Sequence, residues 1–144
     1  MYFDDLKVGM RVQIAPAVIE KEKMMDFARC YDPIPLHTDE AYAAASPFGA
    51  LIAPGVMSFM SVWAKYLEQD FFGPELLAGK STKIEWHKPV YAQDVLHGDA
   101  EITRLEQRSS RNGIVEVTIH AYNQKDMLVL SNVTEAIVKC RDNF

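Results

Sequence analysis

From Val56 to about Gln69 the chain has almost no polar face. Val56, Met57, Phe59, Met60, Val62, Trp63, Ala64, Tyr66 and Leu67 occupy nearly every rotation around a helical axis. A surface helix shows one apolar stripe, whereas a helix apolar all round has to be enclosed by other elements. That demand constrains the fold more than any other stretch. A chain of 144 residues has room for one core of this size, so the rest of the sequence must supply a large surface that closes around a single helix. The methionines and aromatics of the helix read first as core filler.

The second half supplies that surface. Residues 81–86 read as a strand that stops near Lys88-Pro89. Asp94 to Arg108 alternates around Leu96, Ala100 and Ile102; Gly113 to Gln124 puts Val115, Val117, Ile119 and Ala121 on one face; Met127 to Lys139 does the same with Leu128, Leu130 and Ala136. Asn112-Gly113 is the strongest hairpin signal, and Gln124-Lys125-Asp126 reads as the second turn. Long antiparallel strands with one apolar face suit the wrapping of a hydrophobic helix. The expected class is α+β: a long antiparallel sheet around a buried central helix, in a single domain over residues 1–144. Repeats, linkers and low-complexity tracts are absent from the pattern. Upstream, Met24, Met25, Phe27 and Ala28 give a one-sided helix from about Glu20 to Cys30. Thr38 is the expected N-cap of a short helix that Ser46-Pro47-Phe48-Gly49 breaks.

Charge and cysteine content narrow the function classes. Fifteen basic against twenty acidic residues leave a net charge of -5, which argues against a general binder of nucleic acid or anionic membrane. The first residues are acidic, no apolar signal region follows, and no run of about 18 apolar residues occurs, so a cytoplasmic protein without a membrane span is expected. Cys30 and Cys140 have no CxxC partner or histidine pair. The expectation is no metal and two reduced, buried thiols.

Asp32 and His37 are the strongest chemical signal. They flank Pro33-Ile34-Pro35-Leu36. A carboxylate and an imidazole are suited to moving protons near neutral pH. The prolines keep Asp32 and Ile34 out of helical geometry, which puts both polar side chains on a stiff connector.

The order of parts resembles the MaoC-like dehydratases, the (R)-specific enoyl-CoA hydratase group of the hot-dog fold. The resemblance is carried by Phe3-Asp4-Asp5-Leu6-Lys7-Val8-Gly9, similar to the family's opening strand and turn, and by Phe27-Ala28 ahead of Asp32, Pro35 and His37. It continues through Thr38 to Ala43, Pro54-Gly55, Pro89-Val90 with Asp94, and Tyr122-Asn123-Gln124. It implies that water is added to, or lost from, a trans-2-enoyl thioester. Asp32 would be the general base toward water, and His37 would orient that water and shuttle the second proton. Gly55, and with it Val56, would offer backbone N–H groups to the thioester oxygen. Ile34, Pro54, Met57 and Trp63 are the candidate pocket residues, with Trp86 a further candidate beside its core reading. Lys83, Lys88 and Arg104 are candidates for CoA phosphates. The implied partner is an acyl-CoA or acyl-carrier thioester, the implied assembly a homodimer, and no cofactor is implied beyond the CoA of the substrate. Departures are Ile34 where the family has Asn, Tyr31 and Gln93 where it has Gly, and Pro54 where it has His or Ser. They point to an altered substrate range. Two other readings stand beside this one. One is a hot-dog thioesterase, which the lack of Asp or Glu between Val56 and Leu67 disfavours. The other is a non-catalytic acyl-CoA-binding or partner subunit.

Overall fold

The structure is a computed structural model that describes residues 1–141. Five antiparallel strands form one sheet: β1 (Arg11–Val18), β2 (Leu76–Trp86), β3 (Val95–Gln107), β4 (Asn112–Tyr122) and β5 (Leu128–Lys139), in the order β1-β3-β4-β5-β2. Four helices precede β2: α1 (Lys21–Tyr31), the single turns α2 (Pro35–Thr38) and α3 (Glu40–Ala44), and the central helix α4 (Gly55–Leu67).

The alternation read from the sequence is the inner face of the sheet. Leu96, Ala100 and Ile102 of β3 and Val115, Val117 and Ile119 of β4 are buried, and they pack in one cluster with Phe59, Val62 and Tyr66 of α4. Each Val, Leu or Ile side chain among them contributes about 1.5–3 kcal/mol by burial. The same face of β5 holds two polar residues, Asn132 and Thr134. Asn132 Nδ2 donates to Thr82 Oγ1 at 2.7 Å, and Thr134 Oγ1 donates to Asn132 Oδ1 at 2.8 Å, so both are satisfied in place.

Several expectations are corrected. α4 is not enclosed on all sides: Val56, Met60 and Leu67 are 48%, 47% and 49% exposed, because a sheet of five strands covers only one side of the helix. α4 starts at Gly55 and ends at Leu67, closing beside Asp70, whose φ of 47° cannot continue a helix. The segment read as an opening strand is a 3₁₀ turn at Phe3–Asp5, and the first strand is Arg11–Val18. β2 begins at Leu76, five residues earlier than read. Asp39, not Thr38, caps α3 by accepting from the Tyr42 amide at 3.0 Å, since Thr38 is used in α2. Asn112-Gly113 opens β4 rather than forming the turn, which Ser109 makes by accepting from the amides of Arg111 and Asn112. Gly113 has another cause: a Cβ there would lie 2.4 Å from the Phe3 ring. Cys140 is buried but Cys30 is exposed.

Two of the resemblance-bearing residues meet in the fold. Gln124 Nε2 donates to Asp94 Oδ1 at 2.9 Å, and the Val95 amide donates to Gln124 Oε1 at 3.1 Å. Asp94 therefore organises the turn into β3. Among the described residues no helix is long and apolar enough to cross a membrane.

Candidate active site

Asp32 ends α1. Its amide donates to Ala28 O at 2.9 Å, and its φ of -154° takes the chain out of the helix. The Ile34 amide then donates back to Asp32 O at 2.9 Å across Pro33, a three-residue turn that proline's fixed φ favours. Pro35 occupies the first turn of α2, where its missing N–H costs nothing. Ile34 O accepts from the His37 amide at 3.0 Å and from Thr38 Oγ1 at 3.1 Å. The connector is thus braced by main-chain bonds and by the Thr38 hydroxyl.

His37 is buried, its side chain 7% exposed, while the Asp32 side chain is 42% exposed. His37 Nδ1 lies 2.7 Å from Ile52 O. A carbonyl oxygen only accepts, so Nδ1 carries the hydrogen and donates. His37 Nε2 is then the nitrogen turned toward Asp32, 3.3 Å from Oδ2. A water donating one hydrogen to Asp32 and the other to Nε2 would keep an oxygen lone pair free.

Ile52 connects this pair to the rest of the site. Its amide donates to Leu36 O at 3.3 Å, and the Ala53 amide donates to Val90 O at 2.7 Å, which ties the segment to the chain leading into β3. Pro54 follows, and α4 begins at Gly55. The first amide of α4 with a helical acceptor is Ser58, which donates to Pro54 O at 3.1 Å. The amides of Gly55, Val56 and Met57 precede it and have no acceptor within the helix. Such amides, with the helix dipole behind them, suit a developing negative charge.

A cleft of about 500 Å³ lies between these parts. Asp32 and His37 face it with Gly55, Val56 and Ser58 from α4, and Phe48, Ile52, Trp86 and Val90 supply apolar wall. Of the sequence candidates, the structure brings Asp32, His37, Gly55, Val56 and Trp86 to one cavity. It does not bring Ile34, Pro54, Met57 or Trp63 there. Ile34 is exposed, Met57 is buried in the core, and Pro54 gives its carbonyl to the helix. Trp63 lines a separate cavity of about 60 Å³ with Tyr66, Phe71 and Phe72, where burial pushes the Tyr66 phenol up to about 12. Lys88 sits at the cleft, but Lys83 pairs with Glu85 and Arg104 with Glu106, Glu116 and Glu135.

Sequence reasoning passed over Ser58, Phe48 and Ile52. Ser58 had a usable signal: it stands three positions after Gly55, on the same side of the helix. Ile52 had none, because it acts through its carbonyl.

A family model described as "MaoC like domain" matches residues 6–124. An uncharacterized protein, YdeM of Bacillus subtilis, is 27% identical over 140 residues, covering 96% of this chain and 99% of that protein. A 3-hydroxybutyryl-CoA dehydratase of Methylorubrum extorquens is 31% identical over 114 residues, covering 77% of this chain and 71% of that one. The crystal structure of a MaoC-like dehydratase from Rhodospirillum rubrum superposes with a TM-score of 0.81 at 26% identity, covering 99% of each chain.

Proposed function

The chain belongs to the MaoC-like domain family, and from that premise we propose that it is a hydro-lyase that adds water to a trans-2-enoyl thioester or removes it from the 3-hydroxyacyl product. The observation that carries this reading is the apposition of Asp32 and His37, 3.3 Å apart, at a cleft that also receives the first turn of α4.

In the hydration direction Asp32 takes a proton from water as the oxygen bonds to C3. The C2=C3 π electrons move toward the thioester, whose oxygen becomes an enolate held by the amides of Gly55 and Val56. The proton taken from water remains in the Asp32–His37 pair and returns to C2, which completes addition without an outside proton. CoA enters only as part of the substrate. Thioester hydrolysis fits less well, because α4 carries no Asp or Glu to activate water beside the thioester carbon. A docking-only role leaves the Asp–His pair unused.

The compartment proposed is the cytoplasm. The assembly proposed is a homodimer. β2 is an edge strand of eleven residues that is exposed along nearly its whole length, and Leu76 and Leu77 on it are exposed together with Val56, Met60 and Leu67 of α4. An unpaired edge strand that carries exposed leucines is otherwise a template for pairing with another chain.

The test is loss of the enoyl-thioester absorbance with crotonyl-CoA and longer trans-2-enoyl-CoAs, wild type beside Asp32→Asn. Loss that depends on Asp32 and yields an (R)-3-hydroxyacyl product supports the reading. No loss with any chain length, from folded protein, sinks it.

A further inference from the structure

Trp86 stands at the end of β2, paired across the sheet with Leu130, and its indole rests on the first residue of α4. Nε1–H donates to Gly55 O at 2.9 Å. The ring lies so close that a Cβ on Gly55 would fall 2.5 Å from Cε2, which leaves position 55 to glycine. The same oxygen accepts a second side-chain bond from Ser58 Oγ at 2.8 Å. Trp86 is 48% exposed, so burial of its ring does not account for the contact.

Gly55 O and the Val56 N–H belong to one peptide plane and lie on its opposite edges. Holding the oxygen therefore aims the hydrogen. The Val56 amide has no acceptor within the helix, and Val56 lines the cleft. Donors on the oxygen also polarise the amide and strengthen what it can donate.

We propose that Trp86 is a positioning residue: its indole N–H, together with the Ser58 hydroxyl, fixes the Gly55–Val56 peptide so that the Val56 amide meets the thioester oxygen. The inference rests on the hydro-lyase reading. It makes Trp86, which also lines the cleft, act on the chemical step through the peptide. It also joins the sheet to the helix N-terminus at the point where the enolate charge appears.

The experiment compares wild type with Trp86→Phe, which keeps an aromatic ring and removes the donor. Hydration of crotonyl-CoA is followed for kcat and KM. Separately, the infrared carbonyl stretch of bound butyryl-CoA, labelled with ¹³C at the thioester carbon, is recorded; this ligand has no double bond and does not react. The expected result is a kcat lower by roughly fivefold to tenfold, as for one lost hydrogen bond, with KM within about twofold of wild type. The bound carbonyl stretch moves back toward its value in free butyryl-CoA. Unchanged kcat and stretch overturn the proposal, and so does a change in KM alone or a fall in kcat with the stretch unmoved. If Trp86→Phe does not fold, Ser58→Ala removes the other donor to the same oxygen and is judged on the same readouts. An inactive wild type that still shifts the carbonyl stretch sinks the hydro-lyase reading, and the stretch in the variant then decides the role of Trp86. A wild type that shifts nothing overturns both.

Discussion

The Nδ1 of His37 and the carbonyl oxygen of Ile52 lie 2.7 Å apart, and this bond leaves Nε2 as the nitrogen that faces Asp32. The imidazole cannot rotate to present the other nitrogen without abandoning that acceptor. The orientation of the ring is therefore set by a main-chain group fifteen residues away in sequence.

Replacing Asp32 by Asn removes the proposed base and preserves the shape. It should lower kcat by about 10²–10⁴-fold, the range for a lost general base, with a melting temperature close to wild type because Asp32 is half-exposed. Steady-state kinetics beside a thermal melt checks both halves. A variant retaining full rate would remove Asp32 from the mechanism.

Gln93 adopts a φ of 69°, in the left-handed region where the family has glycine, and its amide donates to Ile19 O at 2.7 Å. Gln93→Gly keeps that bond and relieves the backbone. After the entropy of a more flexible unfolded chain, it should stabilise the fold by about 0.5–1 kcal/mol. Denaturant titration measures this as a higher midpoint at constant slope.

Gly98 of β3 faces β4 so closely that a Cβ would meet His120 O at 1.9 Å. Neither backbone can yield without breaking the ladder. Gly98→Ala should destabilise by at least about 2 kcal/mol, at the upper part of the range for overpacking, read as a lower melting temperature or loss of soluble protein.

The Ser81 hydroxyl, 2.5 Å from Glu135 Oε1, and the charges of Lys80 and Arg104 hold the Glu135 carboxyl below the usual carboxylate range. A carboxyl lowered in the folded state adds stability at pH above its unfolded value, and that contribution disappears as pH falls through the folded value. Glu135→Gln should therefore be less stable than wild type at pH 7, with the difference closing in acid, once pH has fallen through the lowered folded value. Melts at pH 7 and in acid test it; a difference that persists in acid would mean the side chain acts through packing.

Met60→Lys together with Leu77→Lys places charge on the exposed face of α4 and on the edge strand β2. Sedimentation should give a dimer for wild type and a monomer for the pair of substitutions. A wild-type monomer would remove the proposed assembly.

Legibility followed the reach of each signal. The inner faces of β3 and β4 could be read because Leu96, Ala100 and Ile102, and Val115, Val117 and Ile119, keep a strict period of two. β1 could not, because a register shift between Ile14 and Ala17 buries two residues three apart and breaks that period. The first half of β2 was hidden because an exposed edge strand has no apolar face to alternate. At the site, the stiffness of Pro33 and Pro35 made Asp32 and His37 stand out. Trp86 was a pocket candidate, but its bond to Gly55 could not be read, since it joins positions 31 apart. The exposed stripe of α4 was unreadable because its apolar residues look alike whether a sheet or nothing covers them.

Between Ile52, whose carbonyl orients the imidazole, and Gly55, whose carbonyl is held by Trp86, the chain runs only through Ala53 and Pro54. Both anchoring oxygens are part of the backbone, which every amino acid carries. The geometry here is thus stored chiefly as a count of residues. Glycine is still required at 55 beneath the indole, and inserting or deleting one residue between the two oxygens would throw the Asp32–His37 side and the helix-start side of the cleft out of step.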